Sequence, residues 1–173
     1  YRQDDIITHM NGATTEIENT DAEGRLILAD AICYAKKFHN PDIIIDIATL
    51  TGACVVALGH LFTGMFTNHQ PLADKLKQVG DQVGDYVWQL PATKSYAQGI
   101  TSKVADISNC GKSGFGAGAS TAAMFLKSFV GDTKWVHLDI AGTEAELPIK
   151  TYLGKSATGV TVRLLTKFIQ ESF

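Results

Sequence analysis

The sequence predicts an α/β fold, with a mixed, largely parallel sheet sandwiched between helices. Three observations carry that expectation. The apolar run "IIIDIA" has strand length and almost no polar alternation, which suits a strand covered on both faces. Segments of helical periodicity alternate with such runs along the chain. No linker or low-complexity stretch interrupts the 173 residues, of which 45% are hydrophobic and 19% charged, as in one globular domain. "DIIIDIATL" and "HLDIAGT" share Asp-Ile-Ala, which is too short a match to make a repeat.

In chain order, "DIITHMNGATTEIE" predicts a hairpin with a two-residue turn at Asn11-Gly12. A helix follows over roughly residues 24–38. Its core stripe is read as Ile27, Leu28, Ala31, Ile32, Ala35 and Phe38, with Lys36 and Lys37 facing water near the negative end of the dipole. Pro41 closes the connection to a strand at Ile43 to Ala48. "FTGMFTN" is a second strand and "PLADKLKQVGDQVG" a surface helix begun at Pro71. "KVADIS" is a further strand candidate. "GFGAGASTAAMFLKSFV" reads as a glycine turn opening a buried helix, because its apolar residues run nearly all round. "WVHLDIAG" is a third strong strand, and Val160, Leu164, Leu165, Phe168 and Ile169 stripe a final helix.

Composition excludes several function classes. The net charge is -3 and the 15 Lys and Arg are scattered, so neither a nucleic acid nor a membrane surface finds a basic footprint. Apolar stretches are broken well short of a membrane span. Cys33, Cys54 and Cys110 are odd in number and widely spaced; they fit small buried hydrophobes in a reducing cytoplasm, not a disulfide framework. The chain opens at Tyr1 without Met and without a signal-peptide pattern, so it is expected to be part of a longer gene product.

Chemistry concentrates in "ENTDAEGRLILADA", where Asp21, Glu23 and Arg25 precede a long apolar run. Locally, Thr20-Asp21-Ala22-Glu23 fits an S/T-x-x-E capping box. Alternatively, residues i and i+2 of an extended segment project to one side, so the carboxylates of Asp21 and Glu23 can share cations. Arg25, always protonated, can hold an anion beside them.

The stretch "NTDAEGRLILADA" resembles the signature of the leucyl (cytosol) aminopeptidase family of two-metal exopeptidases. The resemblance continues through "ATLTGA", "VALG", "TGMFTN" and "WVHLDIAGT" to "ATGVTVRLL", in order and over most of the chain. It implies that the chain is the C-terminal portion of one metallo-aminopeptidase catalytic domain. It also implies that Asp21 ligates metal, that Glu23 bridges two metals, and that Arg25 holds a bicarbonate-like anion able to take a proton from the attacking water. By the same resemblance, Leu50 offers main-chain hydrogen bonds to the substrate, while Thr49, Gly52 and Ala141 line the side-chain pocket. That placement suits an open α/β sheet, whose ligands sit beyond the carboxyl ends of strands. The metals implied are two divalent ions, Zn²⁺ or Mn²⁺, with Mg²⁺ as a further choice. The assembly implied is a cytoplasmic homohexamer acting on peptides.

The departure from the family pattern is large. The resemblance calls for an upstream block with a lysine and two more aspartates in the metal site, and a second, catalytic lysine. No "FDSGG"-like stretch occurs in the 173 residues. A site short of most of its ligands binds metal weakly, so the chain alone is expected to be inactive and to be a truncated or cleaved product.

Other motifs fall away. Gly111-Lys112-Ser113 ends like a phosphate-binding loop, but Asp106 stands where that pattern needs glycine. His9, His39, His60, His69 and His137 have no ligand spacing and read as surface or satisfied structural residues. His137 and Asp139 share one strand face and form a candidate hydrogen-bonded pair. Asp46 is a comparable polar intrusion in a buried strand, and such buried aspartates are expected to bond helix or loop amides, with a ligand role as the alternative. No nucleophile elbow supports acyl-enzyme chemistry. Thr143-Glu144-Ala145-Glu146 offers an acidic contact that would favour basic substrates, or is a solvated loop. The alternative function is a non-catalytic α/β binding or scaffold subunit for DNA or a small ligand, with the acidic balance weighing against DNA.

Overall fold

The computed structural model describes residues 1–145 and 156–172. In chain order it contains β1 (Ile6–Thr8), β2 (Thr14–Glu16), α1 (Glu23–His39), β3 (Ile43–Ala48), α2 (Gly52–Leu58), β4 (Thr63–Thr67) and α3 (Gln70–Val83). β5 (Val87–Gln89), a 3-10 helix (Lys94–Ile100), β6 (Ile107–Ser108), α4 (Gly118–Val130), β7 (Lys134–Asp139) and α5 (Val162–Ser172) follow. This is the α/β class predicted, with mixed sheets. β2 pairs with β6 and β4 with β5 in parallel, whereas β1/β2 and β4/β7 are antiparallel. The strands form two sheets, ordered β1-β2-β6 and β3-β7-β4-β5. The chain divides into two compact units, Tyr1–Ile44 with Pro91–Trp135, and Ile45–Leu90 with Val136–Phe173.

In the first unit the hairpin forms, but with a longer turn than the Asn-Gly pair suggests. His9 donates its amide to Ala13 O at 2.8 Å, leaving Met10, Asn11 and Gly12 as a three-residue loop. Only Gly12 takes positive φ there (89°), while the Asn11 side chain accepts the Ala13 amide at 3.0 Å. A two-residue I′ turn needs positive φ at both central positions, and Asn11 instead uses its side chain to close the bend. His9 is buried between Thr15 Oγ1 (2.9 Å) and Asp30 Oδ1 (3.2 Å), with its ring edge-on to Phe129 at 4.6 Å. It is a satisfied structural histidine, as expected.

α1 has the predicted span and the wrong predicted phase. Its buried face is Arg25, Leu26, Ala29, Ile32 and Cys33, whereas Ile27 and Phe38 are mostly exposed. The helix carries apolar residues at two angular positions, so spacing alone fits either stripe; packing against α4 selects one of them. Lys36 turns inward to donate to Phe129 O at 3.0 Å instead of facing water. α4 is buried along nearly its whole circumference, as its composition predicts.

The second unit is built on its sheet. β7 forms where a strong strand is expected, and its Val136–Asp139 stretch is buried throughout. β3 is less enclosed than its apolar run suggests, because it lies at the edge of its sheet. Asp46 is buried while Ile45, Ile47 and Ala48 are half-buried. α3 packs on β4 and β5, and α5 packs on α3. The "GACVVAL" helix α2 was not predicted, since a seven-residue apolar segment with paired valines has no decisive period. Thr51 starts it, accepting the Cys54 amide at 3.1 Å. No helix of the described residues is long and apolar enough to cross a membrane.

Candidate active site

The predicted site residues fall in both units. In the first, Asp21 closes a short loop and Glu23 is the first residue of α1. The capping box does not form: the N-cap is Ala22, which has no side chain to accept a helix amide, and Glu23 lies too early to bond back. Asn19 Oδ1 accepts the Asp21 amide at 2.9 Å instead, in an Asx turn that shapes the loop without using either carboxylate. Both acidic side chains are left exposed to solvent.

The loop itself is clamped by a residue that sequence reasoning missed. Asn109 is fully buried, and its Oδ1 accepts the amides of Glu18 (2.9 Å) and Asn19 (3.2 Å). Its Nδ2 donates to Asn19 O at 2.6 Å, and its own amide donates to Glu16 O at 2.9 Å. A lone asparagine 88 positions from Asp21 carries no spacing signal that would have found it. Arg25, two residues after Glu23, is 7% exposed in the first turn of α1. Burial and the positive end of the helix dipole both act against a cation there, so an anion at the guanidinium would offset both.

In the second unit, Thr49, Leu50 and Gly52 follow the carboxyl end of β3, and Ala141 follows that of β7. One side chain ties these two loops together. Asp139 is 1% exposed; its Oδ1 accepts the amides of Leu50 (3.0 Å), Thr51 (3.4 Å) and Ala141 (3.2 Å). Its Oδ2 accepts the Thr51 hydroxyl at 2.7 Å. Ile140 donates its amide to Ala48 O at 2.9 Å, which continues the pairing of the strands into the loops.

The expected His137–Asp139 pair does not form. Residues i and i+2 share a strand face but stand roughly 7 Å apart along it, farther than the next strand lies away. His137 Nδ1 instead meets Asp46 Oδ1 of β3 at 2.6 Å, with Phe66 stacked on the ring. Asp46 thus takes the histidine, while the loop amides expected of a buried aspartate are found on Asp139. Cys33 and Cys54 are buried and Cys110 half-buried, all of them free. Burial first, then the Asp139 carboxylate, pushes the Cys54 thiol up to about 12, so it is no nucleophile at neutral pH. Glu146 of the acidic stretch lies outside the described residues.

Residues 1–166 match the profile of the cytosol aminopeptidase family, catalytic domain. This chain belongs to the cytosol aminopeptidase family. It is 50% identical over 98% of its length to a "Probable cytosol aminopeptidase" of Geobacter sp. (strain M21), covering 34% of that protein. A protein of the same description from Chlorobaculum parvum is 54% identical over 96% of the chain, which covers 33% of it. The "Probable cytosol aminopeptidase 1" of Shewanella oneidensis is 48% identical over 96%, again with 33% of that protein covered. The chain therefore spans about a third of the length of these aminopeptidases.

Family membership raises the question of metal. Asp21 and Glu23 are hard oxygen donors, exposed and two residues apart, and fit a divalent cation in kind. They do not fit in number. Two carboxylates fall short of the roughly three protein ligands that even one catalytic zinc takes. Among the described residues, no group of three or more His, Cys, Asp or Glu gathers that could hold a metal ion.

Proposed function

We propose that the complete protein carrying this chain is a two-metal aminopeptidase that releases N-terminal amino acids, leucine among them, from peptides. The observation that carries this is the "NTDAEGR" stretch in a chain whose residues 1–166 match the catalytic domain of the cytosol aminopeptidases. Asp21 and Glu23 would hold the metal ions as part of the ligand set, and the remaining ligands would come from other parts of the complete protein. Zinc or manganese, or magnesium, would supply Lewis-acid activation of the scissile carbonyl and of the attacking water.

The chain's own groups do the rest of their share. Arg25 would hold a bicarbonate-like anion able to accept the water's proton, a role that its permanent charge and its burial suit. Leu50 presents main-chain hydrogen-bonding groups to the peptide, while Thr49, Gly52 and Ala141 border the pocket for its first side chain. Without the missing ligands the chain alone is inactive. The complete protein is cytoplasmic and assembles as a homohexamer. The relatives' printed description as cytosol aminopeptidases supports the location and the activity, and light scattering of the complete gene product tests the assembly.

The test of the activity is direct. The complete gene product is assayed on leucyl p-nitroanilide with added Mn²⁺, beside its Glu23→Ala variant. Metal-dependent turnover is expected, falling by about a hundredfold or more in the variant. Because Glu23 is exposed, the variant should keep its stability to within about 0.5 kcal/mol. Unchanged turnover would remove Glu23 from the site.

A further inference from the structure

We propose that Asp139 is the positioning residue of the substrate-facing loops, setting the main chain of Leu50 and Thr51 and the start of the Ala141 loop through one buried carboxylate. The proposal rests on the assignment above of Thr49, Leu50, Gly52 and Ala141 to the substrate.

The geometry gives the reason. Three main-chain amides from two loops converge on Asp139 Oδ1, and the Thr51 hydroxyl holds Oδ2. A buried carboxylate accepting several donors is held in a single orientation, and such charge-assisted bonds are about twice as strong as neutral ones. In a trans peptide the N–H and the preceding C=O point in opposite directions. Turning the Leu50 and Thr51 amides toward Asp139 therefore turns the carbonyls of Thr49 and Leu50 away from it, as acceptors on the opposite side of the loop. The Ala141 amide, held by the same oxygen, couples the second loop to the first.

The influence extends into α2. Thr51 Oγ1 donates to Asp139 Oδ2 and so aims a lone pair at the Cys54 amide, which it accepts at 3.1 Å. Asp139 thus fixes the hydroxyl that caps α2, the helix on which Gly52 is the first residue. Asp139 is buried and its two oxygens are taken up by the loops, so it acts through Leu50, Thr51 and Ala141 and is not itself catalytic.

The experiment uses the complete, metal-loaded gene product with a leucyl peptide substrate and the variants Asp139→Asn, Asp139→Ala, Thr51→Val and Ala141→Val. Asp139→Asn keeps an oxygen for the three amides; it is expected to stay within about threefold of wild type in KM. Asp139→Ala frees both loops and should raise KM by about tenfold or more with kcat little changed, the signature of lost uniform binding. Thr51→Val removes the Oδ2 bond and the α2 cap but leaves the three amides on Oδ1, so it should lower thermal stability and raise KM by less than Asp139→Ala does. The Asn variant should also bring the Cys54 thiol down, since the charge that helps to raise it is gone, and this is readable as ultraviolet thiolate absorbance.

If Asp139→Ala merely lowers the active fraction with KM unchanged, or if Asn is as damaging as Ala, the positioning role is overturned. Ala141→Val separates that failure from a failure of the site assignment. It should shift preference between leucyl and alanyl substrates, and an unchanged preference would overturn the assignment of Ala141 to the pocket independently of Asp139.

Discussion

Cys54 shows how a single side chain reports its surroundings. Its thiol is buried over Gly64, so close that a Cβ on that glycine would collide with Sγ, and it lies beside the Asp139 charge. Both effects favour the protonated form and raise its pKa from 9.0 to about 12. The native state therefore holds this proton more tightly than the unfolded chain. Its contribution to stability is complete below about pH 9, declines as pH rises because the unfolded thiol ionises first, and is gone above about pH 12. Urea titrations at about pH 8 and about pH 10.5 should show wild type losing more stability than Cys54→Ala between the two. Equal losses would mean that the thiol does not titrate as its burial requires. Legibility at this scale was uneven. Asp21, Glu23 and Arg25 stood out because three charges lie within five residues, and any such cluster ahead of an apolar run is visible without coordinates. Asn109 was not visible, and loop amides were expected of a buried aspartate without showing which ones Asp139 would hold, since both residues act on main-chain amides far away in sequence. Main-chain amides leave no mark in the letters of a chain.

Elements were legible where one period dominates. α4 is apolar on every side and its burial followed from that alone, while α1 offers two stripes and only its partner decides between them. The start of α5 depends on a residue that periodicity ignores. Asp85, 3% exposed and just beyond the left-handed Gly84 that ends α3, accepts the Leu164 amide at 3.2 Å through Oδ2. Its Oδ1 receives Arg163 Nη2 at 2.7 Å. It therefore caps the first turn of α5 from another element, and does so where α3 and α5 pack. Gly80 makes room for the same corner, because a Cβ there would lie 2.6 Å from Asp85 O. Asp85→Ala should cost about 1–3 kcal/mol, the loss of a cap and of a buried acceptor for the helix amide, with little added for the half-exposed Arg163. Hydrogen exchange should then quicken at Leu164 and Phe168, while Asp85→Asn, which keeps an acceptor, should recover part of the loss. Protection at α5 that is indifferent to both substitutions would show that packing on α3 alone holds the helix.

At the scale of the whole molecule, alternating strands and helices disclosed the class but not the pairing. β2 finds β6 about ninety positions later, and β7, the last strand among the described residues, lies between β3 and β4. No local pattern encodes such distant partners, nor the interleaving by which 1–44 joins 91–135 in one unit and 45–90 joins 136–173 in the other. The same scale decides where activity resides. The chain covers about a third of its aminopeptidase relatives, and on the reading proposed above it would contribute two carboxylates toward a centre that needs more. A metal held by two exposed carboxylates competes poorly with water, because each adds a modest Coulomb gain in a high dielectric. The 173-residue chain alone should therefore bind Mn²⁺ or Zn²⁺ only weakly, at a dissociation constant on the order of 0.1–1 mM as in weak carboxylate sites, and should not cleave leucyl p-nitroanilide. The complete gene product should do both, losing its turnover to a chelator and regaining it when metal is returned. Calorimetric metal titration and an assay on the two proteins side by side distinguish the cases. Tight binding with turnover by the short chain would mean that these residues assemble a full centre by themselves, and the ligand count on which the rest depends would be wrong.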